Sequence, residues 1–251
     1  MRVLVTGAAN GIGRAAADIL RKEGTDVVSL DIAEEAEITL DLSDMVAIDA
    51  FQPEGRFDAV IHAAGLPPVP GDETRVLTVN FHGLTRLTER LLPAMRPGGS
   101  IVSMASKAGS RWRENLGQVQ RFLGTPADAV AAFVVQENVD AVRSYDLSKE
   151  ALIVWTKAQT ARLARLELRA NTVSPAAVET RILSDFMTAF GDRASRGVAL
   201  TGRPGKAREV AEVLAFLAGP RSAWIKGADI VVDGGLNARL DCATLKIAEA
   251  E

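Results

Sequence analysis

The sequence predicts an α/β domain with a doubly wound, seven-stranded parallel sheet and helices on both faces. Short apolar runs alternate with longer stretches of helical periodicity, which is the pattern of a parallel sheet covered on both sides. Glycine or proline stands at the joins, at 65–71, 97–99, 174–175 and 202–205. Nothing resembling a linker divides the chain, so we expect a single domain over residues 1–251.

The elements follow one another in a regular order. The predicted strands span 2–6, 26–31, 37–40, 57–62, 99–104, 168–173 and 228–232. The predicted helices lie between them, near 11–23, 43–51, 73–96, 143–166, 180–190 and 207–218. Ligands of such sheets bind outside the carboxyl ends of the strands, where the strand order reverses. We therefore expect one functional edge formed by residues at or just past strand ends, namely Thr6, Asp31, Ala63, Ser106 and Ser174.

The first strand leads into a glycine-rich turn that predicts phosphate binding. The apolar run 2–6 is followed by Gly-Ala-Ala-Asn-Gly-Ile-Gly and then by a stretch with helical spacing. Gly7 would permit a tight turn, Gly11 would let the backbone approach a pyrophosphate, and Gly13 would allow close helix–strand packing. The helix N-terminus then offers free N–H groups and a positive dipole end to the phosphates.

The second strand ends at an acidic residue that indicates which dinucleotide is bound. Asp31 closes the apolar run 26–31, eighteen residues beyond Gly13. A carboxylate there accepts hydrogen bonds from the ribose hydroxyls of NAD and repels the 2′-phosphate of NADP. No arginine stands in the turn or beside Asp31 to receive that phosphate, so the sequence favours NAD.

Composition and charge exclude several functional classes. The chain is 47% hydrophobic and 24% charged, and its 251 residues are enough to bury a substantial core. Its net charge of −3 gives no electrostatic reason to expect nucleic acid or an anionic membrane as a partner. The two histidines, His62 and His82, and the one cysteine, Cys242, form no cluster at metal-ligand spacing, so we expect no metal.

Cysteine usage and the N-terminus predict a soluble, cytoplasmic protein. Cys242 cannot form an intramolecular disulfide, which fits a reducing compartment. Met1 leads directly into the first strand, and no long apolar span or secretory leader is present.

A Tyr-x-x-x-Lys spacing supplies a candidate acid–base pair. Tyr145, the only tyrosine, and Lys149 lie four residues apart in a predicted helix and therefore share a face. An adjacent ammonium would lower the pKa of the phenol and let it exchange a proton with an alcohol. Taken alone, the spacing arises often by chance and is more typical of a solvated helix face.

Together these residues resemble the short-chain dehydrogenase/reductase family, over nearly the whole chain. The resemblance is carried by Thr-Gly-x-x-x-Gly-x-Gly at 6–13, Asn80 in Val-Asn-Phe-His-Gly, Ser106 after Ser-Ile-Val-Ser-Met-Ala, and Tyr145 with Lys149. Asp41-Leu42 matches the adenine-contacting pair of the family, and Asp-Gly-Gly at 233–235 matches its C-terminal signature. It implies a Rossmann-type domain.

The resemblance also implies roles for individual residues. Tyr145 would donate or accept the proton, Ser106 would orient the substrate oxygen, and Lys149 would bind the nicotinamide ribose. Asn80 would hold a water in a proton relay, although a buried amide that stabilises a kink is equally compatible. The implied cofactor contacts are Gly7, Asn10, Gly11, Ile12, Gly13, Asp31, Ile32, Asp41, Leu42, Ala63, Ala64, Gly65, Tyr145, Lys149, Pro175, Val178 and Thr180.

Two segments depart from the family pattern. His-Ala-Ala-Gly at 62–65 replaces the usual Asn-Asn-Ala-Gly, so a bracing amide is lost. We interpret His62 as a structural residue. Pro175-Ala176 replaces Pro-Gly, which disfavours positive φ at Ala176.

An insertion of about 111–140 separates Ser106 from Tyr145 and predicts two short amphipathic helices. Its apolar residues, such as Phe122, Phe133 and Val134, need cover. We expect the insertion to roof the substrate cleft or contact a second subunit, with a surface excursion as the alternative. We also expect residues 107–123 and 176–196, with Trp112, to line the cleft, and a substrate loop at about 180–203.

The insertion resembles those of coniferyl alcohol dehydrogenases and bacterial 3α-hydroxysteroid dehydrogenase/carbonyl reductases. We therefore expect an NAD-dependent oxidoreductase that interconverts an apolar, aromatic or cyclic alcohol and its ketone or aldehyde. A 3α-hydroxysteroid dehydrogenase/carbonyl reductase, a catalytically silent NAD-sensing protein and a lyase or epimerase are the alternatives.

Apolar residues on several faces of the helices 73–96 and 143–166 predict self-association. They are Leu87, Leu91, Leu92, Leu152, Trp155 and Leu163. We expect a homodimer or a homotetramer, since relatives commonly pair through these helices.

Overall fold

Seven parallel strands form the central sheet, which confirms the predicted fold class. The computed structural model describes residues 1–247, and residues 248–251 of the predicted domain lie outside the described residues. In chain order the strands are β1 (Arg2–Thr6), β2 (Asp26–Asp31), β3 (Ile38–Thr39), β4 (Phe57–His62), β5 (Met95–Met104), β6 (Arg169–Pro175), β7 (Val178–Glu179), β8 (Gly205–Lys206) and β9 (Asp229–Val232). The central sheet has the order β3-β2-β1-β4-β5-β6-β9, and β7 and β8 pair in a small second sheet.

Eleven α-helices lie in the described part of the chain. They are α1 (Gly11–Lys22), α2 (Met45–Ala50), α3 (Glu73–Leu77), α4 (Leu84–Leu91), α5 (Leu116–Leu123), α6 (Val130–Gln136), α7 (Ala141–Arg165), α8 (Leu183–Phe190), α9 (Asp192–Thr201), α10 (Ala207–Ala218) and α11 (Leu236–Leu245). Shorter 3-10 turns cover Leu92–Ala94, Lys107–Arg111, Ala127–Ala129 and Pro220–Ser222. Within residues 1–247, the structure contains no helix long and apolar enough to cross a membrane.

Both faces of the sheet are buried, which explains the continuous apolar runs. Successive side chains of a strand point to opposite faces. Val3 and Val5 accordingly pack with α1 and α10 on one face, while Leu4 packs with α2, α4 and α7 on the other. Each such aliphatic side chain stabilises the fold by roughly 1.5–3 kcal/mol when fully buried.

The strand register places the predicted functional residues at one edge. Thr6 pairs with Leu30 of β2 and with His62 of β4, and His62 pairs with Ser103 of β5. The strand order reverses between β1 and β4, because β2 lies on one side of β1 and β4 on the other. The chain segments that follow β1, β2, β4 and β5 therefore meet at one site.

The predicted helix 73–96 is interrupted. The α-helical segments α3 and α4 are separated by a π-helical turn, Thr78–Gly83, and β5 already begins at Met95. Gly83 allows this turn to approach the loop after β3, since a Cβ on Gly83 would lie 2.0 Å from the Leu42 carbonyl oxygen. Helical periodicity in a sequence shows which face of a helix is apolar. It does not show where a turn contains the extra residue of a π-helix.

Several elements were not predicted. The helices α9 and α11 and the β7–β8 pair each lie close to glycines, at Gly191, Gly202, Gly205 and Gly235. The helix α8, by contrast, lies within the predicted helix 180–190, and neither α8 nor α9 contains a fully buried residue within the described range.

Candidate active site

One large cleft opens at the carboxyl edge of the sheet. Its volume of about 680 Å³ lies within the range of small-molecule and cofactor sites. All of the predicted cofactor contacts line it, together with Ser106, and they come from the ends of β1, β2, β4, β5 and β6 and from α1 and α7. Asn80 does not line the cleft and lies behind it.

The glycine-rich turn is shaped by backbone close to it. Gly7 has φ +69°, and a Cβ there would lie 2.6 Å from the Ala64 nitrogen. A Cβ on Gly13 would lie 2.2 Å from the Gly7 carbonyl oxygen, so neither position accepts a side chain. Gly11 has φ +56° and faces Thr180, whose Cγ2 would be 3.4 Å from an added Cβ. The turn can therefore bring bare backbone against a phosphate at the start of α1.

Asp31 fixes the turn from the neighbouring strand. Its carboxylate accepts hydrogen bonds from the backbone N–H of Ala9 at 2.9 Å and of Ala33 at 3.2 Å. It also lines the cleft beside Ile32 and Leu42. An acceptor here can bind ribose hydroxyls while holding the turn in place.

Thr6 supplies a brace that the sequence analysis missed. Its hydroxyl oxygen accepts hydrogen bonds from the N–H groups of Ala63 at 3.2 Å and Ala64 at 3.1 Å. These contacts tie the end of β4 to the end of β1 where the sequence lacks the usual asparagine. The buried hydroxyl at the last position of β1 was the available signal.

His62 has the structural role that we predicted. It is fully buried, and its Nε2 lies 2.9 Å from the Thr88 hydroxyl on α4. Burial lowers the pKa of His62 to about 3, so the ring stays neutral at physiological pH. It links β4 to α4.

Ser106 and Tyr145 meet despite the insertion between them. Ser106 follows β5 and caps the Lys107–Arg111 turn, accepting a hydrogen bond from the Ala108 N–H at 3.2 Å. Tyr145 stands in the first turns of α7, and both Ser106 and Tyr145 line the cleft. The structure therefore places an N-cap serine and the one phenol in the chain in the same cleft as the glycine turn.

The expected lowering of the Tyr145 pKa by Lys149 is wrong for this structure. Burial raises the pKa of the Tyr145 phenol above its ordinary value, and the nearby Ser106 side chain opposes that increase only in part. The Lys149 Nζ lies 5.4 Å from the centroid of the Tyr145 ring and donates a hydrogen bond to the Met104 carbonyl at 2.9 Å. Its ammonium is therefore directed to the backbone of β5 rather than to the phenol oxygen.

Burial also disfavours the charged form of Lys149. The side chain is almost completely buried, and burial lowers the pKa of Lys149 to about 8. The ammonium thus loses its proton far more readily than an exposed lysine would.

Asn80 is held in the π-helical turn by backbone contacts. Its Oδ1 accepts a hydrogen bond from the Leu66 N–H at 2.7 Å, and its Nδ2 donates to the Leu66 carbonyl at 3.0 Å. A Cβ on Gly65 would lie 3.2 Å from that Oδ1 and 3.6 Å from the Lys149 Nζ. Asn80 therefore anchors the segment after β4 close to Lys149, which is the kink-stabilising role considered above.

The insertion does not roof the cleft, contrary to one of our expectations. Within residues 1–247, no residue of 111–140 lines the cleft, and Trp112 is outside it as well. Phe122 and Phe133 are buried against Leu77, Phe81 and Leu147 on the far side of α7. These two aromatic side chains of the insertion are therefore covered by the core of the chain itself.

The distal end of the cleft is formed by α8, α9 and α11. Phe186 and Phe190 pack edge-on against Tyr145, with ring centroids 5.0 Å and 6.0 Å from it. Leu236 and Leu240 of α11 also line this end, and they were missed because α11 was not predicted. The four-residue spacing of Leu236 and Leu240, directly after Asp-Gly-Gly, was the only sign in the sequence of an apolar helix face here.

Two family profiles match the chain. A profile described as short chain dehydrogenase matches residues 1–117, and one described as enoyl-(acyl carrier protein) reductase matches residues 128–237. The segment between the two matches lies inside the insertion.

Known proteins match nearly the full chain. A coniferyl-alcohol dehydrogenase from Pseudomonas sp. (strain HR199 / DSM 7063) is 36% identical over 249 residues, covering 94% of this chain and 96% of that protein. A 3-alpha-hydroxysteroid dehydrogenase/carbonyl reductase from Comamonas testosteroni is 29% identical over 248 residues, with coverages of 94% and 96%. The crystal structure of a 3-alpha-hydroxysteroid dehydrogenase from Pseudomonas sp. B-0831 complexed with NADH superposes with a TM-score of 0.86 at 28% identity, covering 99% of this chain and 100% of that one.

Proposed function

The chain belongs to the short-chain dehydrogenase/reductase family of oxidoreductases, and we propose that it is a single-domain, NAD-dependent dehydrogenase of an apolar aromatic or cyclic alcohol. The observation that carries the proposal is that Ser106 and Tyr145 line the same cleft as the glycine turn and Asp31. A binding protein without catalysis would not need this pair.

The residues of the cleft fit NAD. The turn at Gly7 and Gly13 has no room for side chains, which suits a pyrophosphate held against backbone N–H groups at the start of α1. Asp31 would accept hydrogen bonds from the adenosine ribose and would repel the 2′-phosphate of NADP. Asp41, Leu42 and the segment 63–65 would hold the adenine, and Pro175, Val178 and Thr180 would meet the nicotinamide.

The chemistry of the protein side chains is proton transfer and positioning. NAD, when bound, supplies the nicotinamide carbon that accepts or returns the hydride. In alcohol oxidation, Tyr145 takes the hydroxyl proton as a phenolate, and in carbonyl reduction it returns that proton. The Ser106 hydroxyl holds the substrate oxygen, and Lys149 would bind the nicotinamide ribose. The anchoring of Asn80 to Leu66 leaves its role in a water relay as a proposal.

An apolar substrate suits the distal end of the cleft. Phe186, Met187, Phe190, Leu236 and Leu240 line it. The relatives named above are described as acting on coniferyl alcohol and on 3α-hydroxysteroids, which supports an aromatic or cyclic alcohol. A 3α-hydroxysteroid is the second candidate, favoured by the TM-score of 0.86 with the steroid enzyme.

We also propose a homodimer or a homotetramer in the cytoplasm. Leu87, Leu91, Leu152 and Leu163 do not support assembly, because all four are buried inside the chain itself. Support comes instead from exposed apolar side chains near the edge strand β9. Phe216 on α10 is 40% exposed, Trp224 after α10 is 94% exposed, and Val231 in β9 is 42% exposed. Light scattering that shows a monomer at micromolar concentration would contradict this assignment.

A substrate screen tests the proposed activity. Aromatic, terpenoid and steroid alcohols are offered with NAD or with NADP, and the absorbance of the reduced nicotinamide is followed. We expect steady NADH accumulation with aromatic or cyclic alcohols and a marked preference for NAD. If NADH binds but no alcohol in the panel is oxidised, the protein is a silent NAD-binding protein or catalyses another reaction.

A further inference from the structure

The helices α8 and α9 cover the cleft but are weakly attached to the rest of the protein. Neither helix, within the described range, contains a fully buried residue. Gly191 joins them at φ +48°, and Gly202 ends α9 at φ +78°, which are conformations that glycine adopts without strain. The segment 183–201, which we call the cover, therefore has flexible joints and little core packing of its own.

Aromatic contacts bring the cover to Tyr145. Phe186 and Phe190 of α8 have parallel rings with centroids 6.0 Å apart, and both meet the Tyr145 ring edge-on. The guanidinium of Arg193, in the first turn of α9, lies 4.7 Å from the centroid of the Phe190 ring. The Arg193 cation of the cover therefore lies next to Phe190, one of the two rings that contact Tyr145.

An ion pair completes this contact beside the proposed proton donor. Arg193 Nη1 donates to Asp146 Oδ2 at 2.7 Å, and Asp146 is the residue that follows Tyr145 in α7. The Asp146 side chain is only 15% exposed, and its Oδ1 is buried with no hydrogen-bond partner among residues 1–247. Arg193 also lines the cleft. Most surface ion pairs contribute little, but this one joins the cover to a buried carboxylate that has few other partners.

We propose that Asp146 and Arg193 form a positioning pair that holds the cover over Tyr145 and couples its closure to the charge beside the reacting phenol. This inference rests on the proposed dehydrogenase activity. When the cover is closed, the Arg193 cation balances the Asp146 carboxylate. When the cover opens, the carboxylate is left unbalanced next to Tyr145, so the phenolate is disfavoured until the substrate is enclosed.

Other charged groups near Tyr145 and Asp146 are already engaged. They lie on α7, on the turn after Ser106 and on α9: Arg143, Lys149, Glu150, Lys107, Arg111 and Arg193. Arg143 pairs with Glu150 at 2.6 Å, and Lys149 donates to the backbone of β5. Lys107 donates to the Ser110 hydroxyl at 2.9 Å, and Arg111 pairs with Glu114 at 2.7 Å. In this set, the Arg193–Asp146 pair alone joins the cover to α7.

Asp146 and Arg193 have opposite electrostatic effects on the pKa of Tyr145. The Asp146 carboxylate raises the pKa of Tyr145, and the Arg193 guanidinium lowers it. Removing Arg193 should therefore move the acidic limb of the kcat/KM profile for alcohol oxidation to higher pH. Removing Asp146 should move it to lower pH. A merely structural pair would not produce shifts of opposite sign.

The test compares Arg193→Gln, Asp146→Asn and the double variant with the unmodified enzyme. Arg193→Gln should raise KM for the alcohol roughly fivefold to tenfold, since the cover encloses substrate less often. We expect opposite shifts of the acidic limb in the single variants, a near-normal limb in the double variant, and restoration of the limb in Arg193→Lys. Arg208→Gln is the matched control, because Arg208 pairs with Glu212 at 3.1 Å on the exposed face of α10.

Hydrogen exchange provides a second readout that needs no substrate. Arg193→Gln should increase amide exchange across 183–201 but not in the central sheet. Shifts of the same sign, no shift, or unchanged exchange in the cover would overturn the proposal. If the unmodified enzyme oxidises no alcohol, the proposed function fails, and the exchange experiment then decides on its own whether the pair holds the cover.

Discussion

Truncation of Phe122 in the insertion should lower stability without impairing catalysis. The side chain is fully buried, and its ring centroid lies 5.2 Å from that of Phe81 and 5.4 Å from that of Phe133. Phe122→Ala removes a large ring from a packed cluster, which costs about 3–5 kcal/mol in cores of this kind. For a chain of this length each kcal/mol shifts Tm by about 2–4 °C, so we expect Tm to fall by roughly 6–20 °C.

Thermal unfolding followed by circular dichroism measures this loss, and steady-state assays at low temperature measure the activity. KM and kcat should stay within about twofold of the original values, because Phe122 lies outside the cleft. Val135→Ala is the matched control in the same insertion, since Val135 is 77% exposed and should leave Tm unchanged. Phe122→Leu should give an intermediate Tm. A raised KM at unchanged Tm would refute our reasoning, because the insertion would then act on the substrate rather than on the core.

Three further predictions concern the cofactor turn and the proton equilibrium. Gly13→Ala should weaken NADH binding, measured by fluorescence titration, at least tenfold, because the new Cβ would lie 2.2 Å from the Gly7 oxygen. Gly117→Ala is the control and should leave binding unchanged, because its Cβ would meet only the Arg121 side chain at 3.7 Å. Asp31→Ala should lower the ratio of kcat/KM with NAD to that with NADP by tenfold or more, and an unchanged ratio would refute the role of the carboxylate. Because burial raises the pKa of Tyr145, the phenolate fraction, and with it the rate of alcohol oxidation, should grow as pH rises through the alkaline range. Carbonyl reduction needs the protonated phenol, which the raised pKa preserves, so its rate should stay nearly constant over the same range. Rates that rise in parallel in the two directions would contradict this assignment.

The buried lysine gives a stability prediction with a defined sign. Burial lowers the pKa of Lys149 to about 8, below its value in the unfolded chain. The folded state therefore releases this proton near pH 8, whereas the unfolded chain keeps it until about pH 10, and stability should rise with pH between these values. Below pH 8 both states are protonated, and the cost of the buried cation is fully present. Lys149→Met should lose turnover but retain or gain Tm at pH 7, and a large loss of Tm would show that its contact with Met104 dominates.

The sheet could be predicted from the sequence because its strands are buried on both faces. Runs such as 3–5 and 59–61 are apolar without interruption, and the residue that follows each run, Thr6 or His62, marks the functional edge. The cofactor contacts could be predicted for a related reason. Gly7, Gly11 and Gly13 are required by backbone geometry that is local to one turn, so the pattern is visible without knowledge of the rest of the fold.

The distal end of the cleft could not be predicted in the same way. The helix α8 lies within the predicted helix 180–190, but α9 and α11 were not predicted. The position of α9 depends on contacts such as Arg193 with Asp146, which lie 47 residues apart. The place of the insertion was also hidden. Phe122 and Phe133 would be apolar whether the insertion packed in the core or roofed the cleft. Only their packing against Phe81 and Leu147 shows that the insertion belongs to the core.

The direction of the pKa shift at Tyr145 shows how burial can outweigh a nearby charge. A spacing of four residues places Lys149 on the correct face, but it does not fix where the ammonium points. The Lys149 ammonium donates a hydrogen bond to the Met104 carbonyl instead. Desolvation of the phenol is then the largest effect, and it raises the pKa of Tyr145.

Replacement of Tyr145 by phenylalanine tests the central claim most directly. Single-turnover oxidation of a substrate alcohol identified in the screen is measured for Tyr145→Phe alongside NADH binding, with Trp112→Phe as a control outside the cleft. We expect NADH affinity within a few-fold of the original and a rate lower by about two to four orders of magnitude, because the proton acceptor is gone. A near-normal rate across the pH range would mean that another group moves the proton, and the assignment of Tyr145 would be wrong.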